Sequence, residues 1–217
     1  MSARSPEWVS RLAKLYSPVV ADVLDKLGFR QQVMTANIRP LYPEAKIAGF
    51  ALTVQIVPAR ETAPEHPYAG ELAAVDALQA NDVMVVSRGE WSFWGELLST
   101  AAKYRRANGV VIDGYTRDSQ AIMAMGFPVF CAGIHPADSL GRLDVSAHNV
   151  PINCGGVLVY PGDLVLADYD GVVVIPKIVA EETLKLAEEK VSGENLVRKA
   201  LQGGMSASEA FKTYGIL

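Results

Sequence analysis

The sequence predicts an α/β fold, one compact domain over residues 1–217 with a central sheet flanked by helices. Three observations predict it. The middle of the chain alternates strand, helix, strand, helix, strand, with links short enough for right-handed parallel crossovers. The last third changes to short apolar runs separated by turn residues. Both ends carry apolar residues at helical spacing. A length of 217 residues suits such a unit, and no repeat, low-complexity tract or linker divides it.

Pro6 to Leu27 reads as helix, with Trp8, Val9, Leu12, Leu15, Tyr16, Val19, Val20, Val23, Leu24 and Leu27 recurring at helical spacing. Ser17-Pro18 divides it, because the residue before proline avoids the α region. Ser17 is expected to cap the second helix and Gly28 to stop it. Asp22 and Asp25 fall on its solvated side. Lys46 to Pro58 reads as a strand buried on both faces. The polar stretch Ala59 to Gly70, with His66 inside it, is a long loop of the kind that is often functional or mobile. Glu71 to Ala80 is a short helix and Asp82 to Ser87 a buried strand. The aromatics Trp91, Phe93 and Trp94 crowd together next, suited to a pocket wall or to a packing contact. Ser99 to Ala107 reads as helix, Gly109 to Gly114 as strand, Ser119 to Met125 as a helix ended by Gly126, and Pro128 to Gly133 as strand. Three short strands follow between Gly155 and Pro176. Asp163, Asp168 and Asp170 lie at their turns, which explains all three without a metal. Val179 to Leu201 is an amphipathic helix, and Ser206 with Glu209 forms a capping box for a final short one.

Bulk properties exclude several classes. Half the residues are apolar and a fifth are charged, a globular profile. The net charge of −4 gives no basic footprint for nucleic acid. No apolar run approaches the roughly 20 residues of a membrane span. Met1 to Pro6 leads into an amphipathic segment rather than a signal-peptide core, so the expected location is cytoplasmic. Cys131 and Cys154 have no metal-ligand spacing and read as buried thiols. There is no P-loop, no Rossmann glycine fingerprint and no serine-hydrolase elbow. Lys46 starts a strand with no visible partner for Schiff-base chemistry, and His66 reads as a solvated loop residue.

The remaining chemistry converges on Trp94-Gly95-Glu96-Leu97-Leu98 and on Arg117-Asp118. Loop, helix, strand and loop bring these two segments to one sheet edge, where open α/β proteins usually place ligands. That edge would hold two carboxylates, Glu96 and Asp118, and one fixed cation, Arg117. Magnesium is usually held by one or two carboxylates with several waters. Arginine suits bidentate contact with carboxylate or enolate oxygens. The N–H groups of Glu96, Leu97 and Leu98 at a helix start favour an anion. Together these parts suit a small 2-oxo acid whose enolate is stabilised by a Lewis acid. Arg-Asp pairs are common, and a structural salt bridge would also account for this one.

Gly95-Glu96-Leu97-Leu98, followed by Gly109-Val110-Val111-Ile112-Asp113-Gly114-Tyr115-Thr116-Arg117-Asp118, resembles the signature of the RraA-like family. That family includes the class II 4-hydroxy-4-methyl-2-oxoglutarate / 4-carboxy-4-hydroxy-2-oxoadipate aldolases and the regulator of ribonuclease E activity. Its core pattern is an acidic residue, twenty residues, then Arg-Asp, which Glu96, Arg117 and Asp118 fit. The segments 20–28, 138–142 and 161–176 resemble its other landmarks in the same order. The resemblance implies a swivelling β/β/α-type fold and a homotrimer, sometimes paired into a hexamer, with active sites between subunits. It implies magnesium or manganese at Asp118, partly through waters, with Glu96 in support. Arg117 and the Gly95, Glu96, Leu97, Leu98 loop would bind the pyruvate part of the substrate. The implied reaction is retro-aldol cleavage of a 4-hydroxy-2-oxo acid, or oxaloacetate decarboxylation, through a metal-stabilised pyruvate enolate. Ala121 stands where many aldolase members carry an acidic residue. Glu194 and Glu209 are the candidates for a glutamate lent by a neighbouring subunit. The regulator branch implies an alternative, a non-catalytic protein that binds and inhibits an RNA-processing enzyme. A methyltransferase is opposed by the missing glycine-rich nucleotide loop.

Overall fold

The structure is a computed structural model that describes residues 4–216. Met1 to Ala3, part of the N-terminal stretch read above, lie outside the described residues. Helices α1 (Pro6–Leu12) and α2 (Ser17–Lys26) open the chain. Strands β1 (Arg39–Pro40) and β2 (Ile47–Pro58) follow, then α3 (Ala69–Asp76), β3 (Asp82–Val86) and β4 (Ser92–Trp94). The middle continues as α4 (Glu96–Tyr104), β5 (Gly109–Thr116), α5 (Ser119–Met125) and β6 (Val129–Ile134). Strands β7 (Leu143–His148), β8 (Ile152–Cys154), β9 (Val157–Val159), β10 (Leu164–Asp168) and β11 (Gly171–Ile175) precede α6 (Ala180–Gln202) and α7 (Ala207–Tyr214).

The main sheet runs β1-β6-β5-β3-β2-β10-β11, with β4 added on β5 and β7 on β2. Strands β2, β3, β5 and β6 are parallel, as is β4 with β5; β10, β11, β7 and β1 are antiparallel to their partners. Between α2 and β1 the chain spans both edges. Met34 N–H donates to the Val172 carbonyl and Val174 N–H to that of Gln32, both at 2.9 Å, before β1 pairs with β6. The sheet is thereby nearly closed, like a barrel.

Alternation along β2 divides the core. Ile47 and Ala51 point into the barrel with Val83, Val85, Val111 and Phe130, under the β8–β9 hairpin. Ala48 and Phe50 meet the apolar faces of α1, α2 and α6. Leu52, Val54 and Ile56 meet α3, α4 and α5, together with Trp94, Ile122 and Phe127. A strand with all of its first eight residues buried reads as a continuous apolar run, which is how β2 reads.

Most local expectations hold, and the departures have physical causes. Ser17 is the first residue of α2 rather than its cap; Tyr16 occupies the cap position. The Ser17 N–H and hydroxyl instead donate to Asp168, at 2.7 and 2.6 Å, so a turn carboxylate from the barrel caps the helix. Helix α3 starts before Glu71 and stops earlier than expected, and α4 starts at Glu96 rather than Ser99. Asp163 accepts the Tyr160 and Lys177 N–H groups at 2.9 Å each, a turn role. Lys46 Nζ donates to the Leu15 carbonyl at 2.7 Å. Both cysteines are buried, and burial pushes the Cys131 thiol up to about 11. Among the described residues no helix is long and apolar enough to cross a membrane.

Candidate active site

Strand β4 makes the site. It is only three residues long, but it pairs in parallel with the end of β5, Ser92 opposite Tyr115 and Trp94 opposite Thr116. The Arg117 N–H donates to the Trp94 carbonyl at 2.9 Å, and the Thr116 hydroxyl to the same oxygen at 3.0 Å. Residues far apart in sequence are thus locked side by side at the carboxyl edge of the parallel strands. Trp94 anchors the pair from below. Its buried indole stacks on Phe127, with ring centroids 6.2 Å apart, and donates to Ser99 Oγ at 2.7 Å.

Gly95 caps α4, and any larger residue there would displace the Asp118 carboxylate. A Cβ at that position would lie 2.7 Å from Asp118 Oδ2 and 3.5 Å from Arg117 Nε. Asp118 caps α5 in the left-handed region, φ 54° and ψ 31°, a conformation aspartate tolerates better than most residues. Its Oδ2 accepts the Glu96 N–H at 3.1 Å. Asp118 thus takes the first N–H of α4, and Gly95 offers no side chain for the next two, so the N–H groups of Leu97 and Leu98 remain for a ligand or water.

The Arg117 guanidinium lies between two carboxylates, 4.0 Å from Asp118 Oδ2 and 3.2 Å from Asp138 Oδ1. Its side chain is 38% exposed, against 48% for Asp118 and 25% for Asp138. Asp138 is held further by the Ser139 N–H on Oδ1, at 2.8 Å, and by the Tyr68 hydroxyl on Oδ2. Behind it, the Ser139 hydroxyl donates to Glu71 Oε2 at 3.0 Å. Burial is the main cause that pushes the Glu71 carboxyl up to about 7; the charge on Asp138 adds to it, while Ser139 and Arg117 oppose it. These groups surround a cavity of about 240 Å³ whose other walls are Leu72, Phe93, Trp94, Leu97 and Leu98.

The sequence model of the RraA-like family, described as Aldolase/RraA, matches residues 17–174. The chain belongs to the RraA-like family. A Halalkalibacterium halodurans protein named "Putative 4-hydroxy-4-methyl-2-oxoglutarate aldolase" is 31% identical over 214 residues, covering 97% of this chain and 96% of that one. Among solved structures, Streptomyces coelicolor RraAS2, titled an unusual member of the RNase ES inhibitor RraA protein family, superposes with a TM-score of 0.81. It is 32% identical and the match covers 90% of this chain and 98% of that one. An uncharacterized Pseudomonas syringae protein gives a TM-score of 0.87 at 26% identity, covering 97% and 95%.

In this RraA-like chain Gly95, Leu97, Leu98, Arg117 and Asp118 come together as the sequence suggests. Glu96 does so only through its backbone. Its carboxylate accepts from Thr100 Oγ1, at 2.8 Å, on its own helix, and its N–H is taken by Asp118 rather than left free. No group of three or more His, Cys, Asp or Glu side chains placed for a metal occurs among the described residues. Glu194 bonds the Tyr16 hydroxyl and lies 3.7 Å from Lys190, and Glu209 serves its capping box. Phe93 and Trp94 wall the cavity, whereas Trp91 packs on His135 and under Arg142. His66 stays exposed on its loop.

Sequence reasoning missed Tyr68 and Glu71, and it gave Asp138 no role. Periodicity does not separate a buried glutamate from the exposed ones on a short helix. The available signal was the long loop before α3, which delivers both residues to the cavity.

Proposed function

We propose that this chain is a divalent-metal-dependent carbon–carbon lyase. It cleaves a 4-hydroxy-2-oxo acid or a related oxo acid, in the manner of class II pyruvate aldolases and oxaloacetate decarboxylases. The observation that carries this reading is the fixed Arg117 guanidinium beside the Leu97 and Leu98 N–H groups of a helix start and the half-exposed carboxylate of Asp118, all in one small cavity.

Each part has a role. The Leu97 and Leu98 N–H groups take the substrate carboxylate, aided by the positive end of α4. Arg117 lies where negative charge grows on the 2-oxo oxygen during cleavage, and Asp138 keeps the guanidinium in place. Phe93, Trp94 and Leu98 give that charge an apolar wall on one side, which strengthens the interaction. Asp118 suits a magnesium or manganese ion. It is half-exposed, it lines the cavity, and among the described residues its Oδ1 carries no hydrogen bond. One carboxylate with several waters is an ordinary way to hold such an ion. When bound, the ion supplies Lewis-acid polarisation of the oxo acid. In this reading the chain assembles as a trimer or hexamer with sites between subunits.

Asp118→Ala tests the assignment. Metal-dependent turnover should be abolished while circular dichroism stays near wild type and the thermal midpoint falls by only about a few degrees, the cost of the lost hydrogen bond and of alanine at a positive φ. Full metal-dependent activity in that variant would overturn it. The likeness to Streptomyces coelicolor RraAS2 favours a second reading, a non-catalytic regulator that binds and inhibits an RNA-processing enzyme. Recovery of a ribonuclease on the immobilised protein, with no turnover of any oxo acid, would favour that reading instead.

A further inference from the structure

Tyr68 occupies the cap position before α3 in the left-handed region, φ 61° and ψ 11°. A bulky side chain is strained there, and such strain persists only where the surroundings hold it, often at functional sites. Here the surroundings do hold it. The Ala59 N–H donates to the Arg142 carbonyl at 2.9 Å. Gly141 approaches the same loop so closely that a Cβ would lie 2.4 Å from the Thr62 carbonyl oxygen. A Cβ on Gly70 would lie 2.8 Å from that of Val145, so the start of α3 is seated on β7. The loop therefore delivers the phenol to a fixed place, where its hydroxyl donates to Asp138 Oδ2. The other oxygen of Asp138 accepts from Ser139 and faces Arg117. Tyr68, Asp138, Arg117 and Asp118 all line the one cavity.

Retro-aldol cleavage needs a group that neither Arg117 nor the start of α4 provides, a base for the C4 hydroxyl proton. We infer that Tyr68 and Asp138 form a proton relay that removes this proton from a bound 4-hydroxy-2-oxo acid. The inference rests on the lyase reading proposed above. The C4 hydroxyl gives its proton to Tyr68 Oη while the proton already on Tyr68 passes to Asp138 Oδ2. The C4–O bond becomes a carbonyl and the C3–C4 bond breaks. Its electron pair moves into the C2–C3 bond, leaving negative charge on the C2 oxygen beside Arg117. Water then returns a proton to C3 to complete pyruvate, and Asp138 releases its proton to solvent. Donation to the carboxylate is also the main reason the Tyr68 phenol is pushed above its ordinary pKa, so it passes protons on rather than staying ionised.

Oxaloacetate separates this role from a structural one. Carbon dioxide leaves its C3 with no hydroxyl proton to remove. Wild type and Tyr68→Phe are therefore compared on oxaloacetate and on the best-cleaved member of a panel of 4-hydroxy-2-oxo acids, with magnesium or manganese. The expected result is a loss of about a hundredfold or more in kcat for cleavage of the hydroxy acid, with a far smaller loss in decarboxylation, which feels only the missing hydrogen bond to Asp138. Equal losses on both substrates, or unchanged cleavage, would overturn the relay while leaving the lyase reading in place. A wild-type protein silent on every substrate would overturn the lyase reading and the relay together.

Discussion

Replacing Glu71 by glutamine should make the protein more stable above neutral pH and remove the part of its pH dependence that this carboxyl contributes. Glu71 lies in the first turn of α3, with Oε2 on the Ser139 hydroxyl and with Tyr68, Asp138 and Arg117 around it. Burial, more than any neighbour, raises its pKa from the usual 4.5 to about 7. The folded state therefore holds this proton more tightly than the unfolded chain does. The resulting stability is fully present below pH 4.5 and is lost as the pH rises through about 7. At 1.36 kcal/mol for each tenfold step, the displacement corresponds to about 3 kcal/mol. Glutamine keeps the shape and an acceptor for Ser139 but cannot ionise. Urea unfolding of both proteins near pH 4.5 and near pH 8 measures the effect. Between those conditions the wild type should lose about 3 kcal/mol more than Glu71→Gln. Parallel pH profiles would refute the claim that this carboxyl is buried in an uncharged form.

Two further outcomes follow from the same geometry. Gly95→Ala places a methyl group against Asp118 Oδ2. It should lower kcat/KM on the order of a hundredfold by misplacing the site, with little change in thermal midpoint because the displaced atom ends a surface side chain. Trp94→Phe removes the indole hydrogen bond to Ser99 and part of the stack on Phe127. Urea unfolding should show a loss of about 2 kcal/mol with an unchanged m-value.

The parts of this fold that could be read from the sequence are those governed by local rules. Helix α5 ends at Met125 because Gly126 takes a positive φ, and α7 begins where Ser206 and Glu209 complete a capping box. Strands β2, β3 and β5 show as apolar runs because both of their faces are covered. Strand β4 was not legible: three residues carry no periodicity, and its strand character comes from pairing with β5. Strand β7 alternates apolar and polar residues but was not recognised, and its place on the far half of β2 is a long-range choice. The site divides in the same way. Arg117, Asp118 and the Gly95 turn stand out by spacing. Tyr68, Glu71 and Asp138 become a group only when the 59–70 loop folds over the segment after β6, and no local pattern encodes that closure. Glu96 shows the converse. Its spacing is right, but a helix that starts at Glu96 turns its carboxylate along α4 toward Thr100.

The central claim is lyase chemistry at Arg117 and Asp118. Its most direct test is pyruvate release, coupled to lactate dehydrogenase, from oxaloacetate and a small panel of 4-hydroxy-2-oxo acids. The assay is run with magnesium or manganese and again with EDTA, with metal-catalysed oxaloacetate decay subtracted and the coupling enzyme checked in EDTA. The expected result is pyruvate release that EDTA abolishes and that Arg117→Ala loses. Release that persists undiminished in EDTA and in Arg117→Ala would contradict it, as would no release from any substrate.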